Sequence, residues 1–247
     1  MPILRVKNLT KRFKKLTAVN DVSFDIEPGQ CFGIVGPNGA GKTTLIRSIT
    51  TLLKFEEGSV EIEGHDSWKE PVEIKKRIGY VAEVPVPYER LTVWEHVSFI
   101  ARAYFMRDWQ KEAEELLNEF DLTEKRDEFV KYLSKGQKQK VTIICALIHH
   151  PRLLLLDEPL IGIDARGARA LKNHIKRICD TGGAVLLSAH MLSLVEVLCD
   201  TIMVMDKGKK IAMGTLEELK QEYFMKGDLE DLVIKITSHD FTEQRAV

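Results

Sequence analysis

The sequence lacks the features that mark several large classes of protein. Among its 247 residues, 36 Lys and Arg are balanced by 37 Asp and Glu, so the formal net charge of −1 gives no reason to expect binding to nucleic acid or to an anionic surface. No window approaches the roughly 18 consecutive apolar residues of a membrane-spanning helix. The N-terminal segment contains Arg5 and Lys7 and is not typical of a signal peptide. Any role at a membrane would therefore be that of a peripheral subunit.

Cysteine is scarce as well. Its four residues, at positions 31, 145, 179 and 199, form no C-x-x-C pair and have no histidine at zinc-like spacing. Three of them fall inside apolar segments, which predicts small buried side chains in a reducing compartment rather than disulfides or metal ligands. The rest of the composition, 44% hydrophobic and 30% charged, is typical of a globular protein with ample length for a buried core.

One glycine-rich run matches the pattern G-x-x-x-x-G-K-[ST]. It follows a short apolar segment, residues 31–35, that reads as a buried strand, and it leads into an amphipathic helix. In that setting backbone N–H groups and the positive end of the helix surround phosphate oxygens. The residues expected to bind the phosphates are Gly36, Pro37, Asn38, Gly39, Ala40, Gly41, Lys42, Thr43 and Thr44.

The chemistry predicted for this loop is that of a nucleoside triphosphate with Mg²⁺. Lys42 would reach the β- and γ-phosphates, the Thr43 hydroxyl would bind the metal, and Thr44 would contact the α-phosphate. A second group of candidate site residues, Asp157 and Glu158, directly follows an apolar strand over residues 153–156. At the carboxyl end of a buried strand, Asp157 would hold Mg²⁺ opposite Thr43, and Glu158 would orient and deprotonate the attacking water.

The periodicity of the chain predicts an α/β fold. Alternating residues in the first thirty positions, and again over 59–63, indicate antiparallel strands, whereas the apolar runs 153–156, 184–187 and 201–205 are typical of a parallel sheet. Helices over about 165–179 and 191–198 alternate with those runs.

Residues from about 84 to 150 have a helical pattern, with Thr92 and Glu95 in the capping-box positions. The predicted architecture is a mostly parallel core sheet, an antiparallel β-subdomain and an inserted helical subdomain at about 84–150. The domain would span 1–220 and be followed by a C-terminal extension over 221–247. Within residues 214–247 a helix is predicted to begin at Thr215, and a late strand to cover 232–236.

A third motif, Leu-Ser-Lys-Gly-Gln at 133–137, opens a helix with Ser134 as its predicted N-cap. The order of phosphate loop, LSxGQ and apolar strand with Asp-Glu resembles the ATP-binding, ATP-hydrolysing subunit of ABC transporters. The resemblance covers roughly residues 3–220. It implies that Phe13 is the aromatic residue whose ring stacks on adenine. The alternative is that Phe13 is a core residue of a strand.

The same resemblance implies further site residues. Asp164 would lie at a dimer interface, and His190 would contact the γ-phosphate and hold the geometry around Glu158. Two such subunits would close head to tail, so that ATP lies between the phosphate loop of one and Ser134, Gly136 and Gln137 of the other. The second subunit would be another copy of the chain or a related subunit.

Two positions depart from the family's pattern. Lys135 stands where the first glycine of LSGGQ is usual, and this change is expected to be tolerated because the phosphate contacts flank it. Glu83 stands where a glutamine is usual. A glutamate can still ligate Mg²⁺ through an oxygen, but it adds negative charge near the γ-phosphate and donates no N–H. The metal affinity and the turnover rate are therefore expected to differ from those of family members with glutamine at this position. Nucleotide binding is expected to be unaffected.

The resemblance implies a chain that powers a separate transmembrane permease from the cytoplasmic face of the cell membrane, with contact to the membrane only through that permease. Length and the context of residues 91–96 favour a prokaryotic exporter over an importer. The alternative is a soluble ATPase of the same superfamily that acts in assembly or on nucleic acid. Such proteins usually carry coiled-coil arms, tandem domains or basic patches, which this sequence lacks.

Overall fold

The computed structural model of the chain describes residues 1–189, 191–225 and 227–237. Two β-sheets and a set of helices make up this part of the chain. The strands are β1 Leu4–Phe13, β2 Leu16–Ile26, β3 Cys31–Val35, β4 Glu57–Ile62, β5 His65–Asp66, β6 Ile78–Val81, β7 Leu153–Asp157, β8 Ala184–Ser188, β9 Thr201–Asp206 and β10 Lys209–Gly214. The α-helices are α1 Lys42–Ile49, α2 Pro71–Arg77, α3 Val93–Ala103, α4 Gln110–Glu119, α5 Lys135–Leu147, α6 Ala165–Asp180, α7 Leu192–Leu198, α8 Leu216–Glu222 and α9 Leu229–Thr237.

The larger sheet has six strands in the order β10-β9-β3-β8-β7-β6. All neighbouring pairs are parallel except β10 with β9, which form a hairpin. The apolar runs that predicted a parallel sheet are β7, β8 and β9, and every residue of β3, β7 and β8 is buried. Because parallel strands share one direction, their carboxyl ends reach the same edge of the sheet.

Side chains of the six-stranded sheet alternate between two hydrophobic cores. Leu154 and Leu156 pack with the helices on one face, while Leu153 and Leu155 pack with α1 and the second sheet on the other. This alternation follows from the two-residue period of a strand. Helices or strands therefore cover both faces, which explains the continuous apolar runs in the sequence.

The second sheet is antiparallel, with four strands in the order β2-β1-β4-β5. The predicted mixture of a mostly parallel core sheet, an antiparallel sheet and helices is confirmed. Helices α3, α4 and α5 are inserted in sequence between β6 and β7, which are adjacent parallel strands. The division into 1–220, with a subdomain at about 84–150, and an extension over 221–247 stays a prediction.

Capping side chains fix where the inserted helices begin. Thr92 accepts from the N–H of Glu95 at 3.1 Å, and the Glu95 carboxylate accepts from the N–H of Thr92 at 2.9 Å. Ser134 and Gln137 form the same reciprocal pair at the start of α5. Both predicted caps are confirmed. Within the described residues, none of the helices combines the length and apolar character that crossing a membrane requires.

The predicted late strand over 232–236 is wrong, because these residues lie in α9. The buried positions of α9 are Leu229, Leu232, Val233 and Ile236, which is the i, i+3, i+4, i+7 spacing of one helical face. Asp228 begins this helix, since its carboxylate accepts from the N–H of Asp231 at 3.0 Å. The helix packs against α7 and β9.

Substitutions in α9 distinguish the helix from a strand. Leu232 is 0% exposed and Ile234 is 60% exposed, although a strand would place both on one face. We expect Leu232→Ala to lower the free energy of unfolding by about 2–5 kcal/mol, because it leaves a cavity in the core. The matched control Ile234→Ala should change it by about 0.5 kcal/mol or less. Urea unfolding measures both, and equal losses would contradict the helix.

Candidate nucleotide-binding site

A cavity of about 500 Å³ opens at the carboxyl edge of the six-stranded sheet, where the loop after β3 meets the ends of β7 and β8. The site lies at the carboxyl ends of the parallel strands, which is the usual place for a ligand in α/β folds. The cavity is lined by Phe13, Leu16, Thr17, Ala18, Asn38, Gly39, Ala40, Gly41, Lys42, Thr43, Thr44, Glu83, Glu158, Lys207 and Gly208.

The phosphate loop is held against the sheet by close backbone contacts. Gly36 has φ 148°, and a Cβ atom there would lie 2.0 Å from the carbonyl oxygen of Met205. Only glycine can therefore occupy the position without displacing the loop. The N–H of Gly208 donates to the carbonyl of Ala40 at 3.0 Å and holds the other side of the loop.

Lys42, the first residue of α1, lies under the loop. Its Nζ atom donates to the carbonyl oxygens of Gly36 at 2.7 Å and Pro37 at 3.1 Å. Burial lowers the pKa of this ammonium group, and three carboxylates act against that shift. They belong to Glu158, Asp157 and Glu83, in decreasing order of effect. The loop thus presents one buried cation that faces several carboxylates.

Asp157 is fully buried at the end of β7. Its Oδ1 atom accepts from the Thr43 hydroxyl at 3.1 Å and from the Ser188 hydroxyl at 2.7 Å. Its Oδ2 atom is also buried and has no hydrogen-bond partner among the described residues. A buried carboxylate oxygen beside a threonine hydroxyl fits Mg²⁺, which prefers oxygen ligands and often keeps bound waters. The fit includes two of the three predicted ligands, Thr43 and Asp157.

Glu158 follows at the turn after β7 and lines the cavity. Its φ of 50° places a glutamate in the left-handed region, which is sparsely populated by residues other than glycine. The N–H of Glu158 donates to the carbonyl of Ser188 at 3.0 Å, which holds this conformation. The side chain is 6% exposed, so the carboxylate is at the cavity wall and shielded from bulk water.

Phe13 and Glu83 lie at the rim of the cavity. Phe13 is 43% exposed and therefore does not belong to a strand core, and the Nζ atom of Lys11 lies 4.8 Å from the centre of its ring. Glu83 is exposed, and the carbonyl of the preceding Ala82 accepts from the Nε2 of the buried Gln139 at 3.2 Å. An exposed ring and an exposed carboxylate at the mouth of the cavity are both accessible to a ligand.

The residues of the third motif do not line this cavity. Ser134 caps α5, and a Cβ atom at Gly136 would lie 2.0 Å from the carbonyl oxygen of Gly162, so α5 and the loop before α6 are in close backbone contact. Asp164 accepts from Lys140 at 2.6 Å and from the N–H of Gly167 at 2.8 Å, which caps α6. His190 lies outside the described residues.

Several cavity residues have no motif that could identify them. They are Leu16, Thr17, Ala18, Lys207 and Gly208, together with Ser188 behind Asp157. The pair Lys207-Gly208 forms the turn between β9 and β10, and residues 16–18 begin β2. The sequence indicates a turn and a strand there. Only the packing of the two sheets brings them to the loop.

Comparison with known proteins identifies the family. The family model described as "ABC transporter" matches residues 19–161. The chain is 37% identical over 243 residues to the ABC-type transporter ATP-binding protein EcsA of Bacillus subtilis, covering 97% of this chain and 98% of that protein. It is 35% identical to the linearmycin resistance ATP-binding protein LnrL of the same organism, covering 88% of this chain and 70% of that protein.

Two solved structures share the fold. An ATP-binding subunit of an ABC transporter superimposes with a TM-score of 0.92 at 32% identity, covering 96% of this chain and all of the other. A dimeric ATP-binding cassette in a post-hydrolysis state, bound to ADP and Pi, superimposes with a TM-score of 0.79 at 26% identity, covering 86% of this chain and 98% of the other. With the phosphate loop, Asp157 and Glu158 at one sheet edge, this chain belongs to the ABC transporter family as one of its ATPase subunits.

Proposed function

We propose that the chain hydrolyses ATP to drive export through a separate transmembrane permease. The observation that carries the proposal is the convergence of three groups at the carboxyl edge of the sheet. Lys42 supplies a buried cation, Thr43 and Asp157 form a metal-ligand pair, and Glu158 supplies a carboxylate at the cavity wall. Cation, metal ligands and base are the groups that phosphoryl transfer to water requires.

In the proposed reaction the triphosphate lies in the loop from Gly36 to Thr44, with the adenine near Phe13. Thr43, Asp157 and Glu83 would hold Mg²⁺, which supplies charge neutralisation at the phosphates. Glu158 accepts a proton from the attacking water, and its fixed backbone places the carboxylate against the cavity. The ammonium group of Lys42, which the three carboxylates face, stabilises the leaving phosphate oxygens.

We propose that the complete site needs a second subunit, either another copy or a related chain. Ser134, Gly136 and Gln137 form the start of α5, away from the cavity of their own chain. In a head-to-tail pair this helix start would face the γ-phosphate in the other subunit, and Asp164 would lie between the two. The dimeric cassette bound to ADP and Pi supports this arrangement.

The dimer and the general base can be tested together. In Glu158→Gln the proton acceptor is lost, so we expect hydrolysis to fall by about 10²–10⁴-fold. The variant should still bind ATP and, because the dimer reopens only after hydrolysis, should accumulate as a dimer. Light scattering during gel filtration measures its mass with and without ATP.

Glu124→Gln serves as the control, because it makes the same chemical change at an exposed position outside the cavity. It should keep the parent rate and form no lasting dimer. A Glu158→Gln chain that binds ATP and stays monomeric would contradict the two-subunit site. Undiminished hydrolysis would contradict the role of Glu158.

A groove between the sheet and the inserted helices is the proposed docking surface for the permease. Its volume is about 330 Å³, and two of its lining residues, Val86 and Pro87, belong to the loop that follows Glu83. Its lining residues are Thr50, Leu52, Lys75, Ile78, Tyr80, Val86, Pro87, His96, Ile100, Tyr104, Thr142, Cys145, Ala146 and His149. His96 fixes the loop that forms one wall, since its Nε2 atom accepts from the N–H of Tyr88 at 3.1 Å.

Two observations make this groove suited to a partner. Val86 is 87% exposed and Leu52 is 64% exposed, so apolar surface faces solvent at the groove. The loop that carries Val86 also carries Glu83, which lines the nucleotide cavity. Movement of a helix seated in the groove would therefore be transmitted to the nucleotide. The resistance function in the name of LnrL supports export as the direction of transport.

A charge in the groove should release the chain from its membrane partner. Val86→Asp is expected to reduce the fraction of the chain that sediments with membranes of its own cells by at least about fivefold, because burying a carboxylate against an apolar partner surface is costly. Val197→Asp, at a position 76% exposed on α7, is the matched control and should sediment as the parent does. Quantitative immunoblotting of membrane and supernatant fractions measures both. Equal sedimentation would contradict the proposed surface, provided that both purified variants hydrolyse ATP.

Glu83 should set the Mg²⁺ dependence of the reaction. Removing its carboxylate in Glu83→Gln takes an oxygen anion from the metal side of the cavity, so the Mg²⁺ concentration at half-maximal hydrolysis should rise about fivefold, or about 1 kcal/mol. The control is Glu89→Gln, since Glu89 pairs with Lys138 at 3.1 Å and does not line the cavity. An Mg²⁺ titration that Glu83→Gln leaves unchanged would rule out this role.

A further inference from the structure

Carboxylates gather around the buried lysine of the nucleotide cavity. Lys42 faces three carboxylates, those of Glu158, Asp157 and Glu83. Lys207 also lines the cavity, on the wall formed by the turn between β9 and β10. Because ATP with Mg²⁺ is itself a net anion, its binding adds negative charge beside these carboxylates. Further positive charge would therefore stabilise the loaded site.

The start of α5 carries a cation without a counter-ion. Lys138 pairs with Glu89 at 3.1 Å and Lys140 pairs with Asp164 at 2.6 Å. Lys135 is exposed, and among the described residues it has neither an ion pair nor a side-chain hydrogen bond. The first turn of α5 contains no acidic residue. A cation at a helix N-terminus is unfavourable, so Lys135 gains nothing electrostatically from its own chain.

The backbone around Lys135 is fixed. Ser134 is held in the capping box with Gln137, and Gly136 is in close contact with the carbonyl of Gly162. The Lys135 side chain is therefore the part of this helix start that can extend outward. It extends from the surface that faces the nucleotide of the second subunit in the proposed dimer.

We propose that Lys135 crosses the dimer interface and places its ammonium group beside Glu83 and the terminal phosphate in a second copy of the chain. This inference rests on the head-to-tail dimer proposed above. Lys135 then offsets the charge that Glu83 adds to the cavity, and each of the two sites in the dimer contains one such pair. The two positions are coupled only in the ATP-bound dimer, because in a single chain they belong to separate surfaces.

A double-mutant cycle tests the coupling. Glu158→Gln is the parent, and its dimerisation with ATP and Mg²⁺ is measured by analytical ultracentrifugation. Lys135→Ala should weaken the dimer about tenfold in this parent. With Glu83→Gln also present, Lys135→Ala should weaken it less than about threefold, since the carboxylate to be offset is gone. Lys135→Arg should retain the parent affinity.

Two comparisons separate this role from a structural one. Lys138→Ala removes the same charge from the same helix and should weaken the dimer less than about twofold, because Lys138 already has a partner in its own chain. The unfolding midpoint of the nucleotide-free monomer should not fall in Lys135→Ala, since the lost cation was unfavourable for α5.

The outcomes are distinguishable. Equal weakening by Lys135→Ala with and without Glu83→Gln, or an equal loss in Lys138→Ala, would overturn the coupling while leaving the dimer in place. A parent that forms no dimer with ATP would overturn both the proposed two-subunit site and the role of Lys135.

Discussion

The buried carboxylate of Asp157 connects the parts of the nucleotide site. It accepts hydrogen bonds from Thr43 in the helix after the phosphate loop and from Ser188 at the end of β8. Asp157 and Ser188 are direct partners in the parallel register of β7 and β8, and Ser188 is in register with Ile34 of β3. A shift of one residue in either strand would turn Asp157 or Ser188 to the opposite face of the sheet. The position of the proposed metal ligands thus depends on the register of three buried strands.

Helix α5 connects this fixed edge to the surfaces that are proposed to meet other subunits. Two consecutive buried residues make the connections. Gln139 donates to the carbonyl before Glu83, and Lys140 pairs with Asp164 in the loop that precedes α6. A hydrogen bond made by a buried side chain is costly to break, so both contacts hold α5 against its neighbours. A displacement of α5 would therefore move the Glu83 loop and the Asp164 loop together, so docking at the groove and closure of a dimer would be mechanically related.

The features that the sequence predicts correctly are local in the chain. The phosphate loop, the capping boxes at Thr92 and Ser134 and the apolar core strands each occupy a few consecutive residues with a definite period or spacing. The error at α9 has a physical cause, because a five-residue apolar run satisfies a strand and a helix equally until the packing partner is known. The cavity walls at Ala18 and Lys207 depend on how two sheets pack, which no short pattern encodes.

Because the backbone of the third motif is rigid, the charge of the nucleotide site can vary through exposed side chains while the backbone stays in place. The helix start at Ser134 cannot be displaced without breaking the contact between Gly136 and Gly162, so its N–H groups are presented in one geometry. Charge at the site can then change only through side chains that leave the backbone untouched. Lys135 and Glu83 are two such positions, both exposed and on separate surfaces of one chain. In the proposed head-to-tail pair they would meet, and the electrostatic energy of closing would be set by their combination rather than by either residue alone.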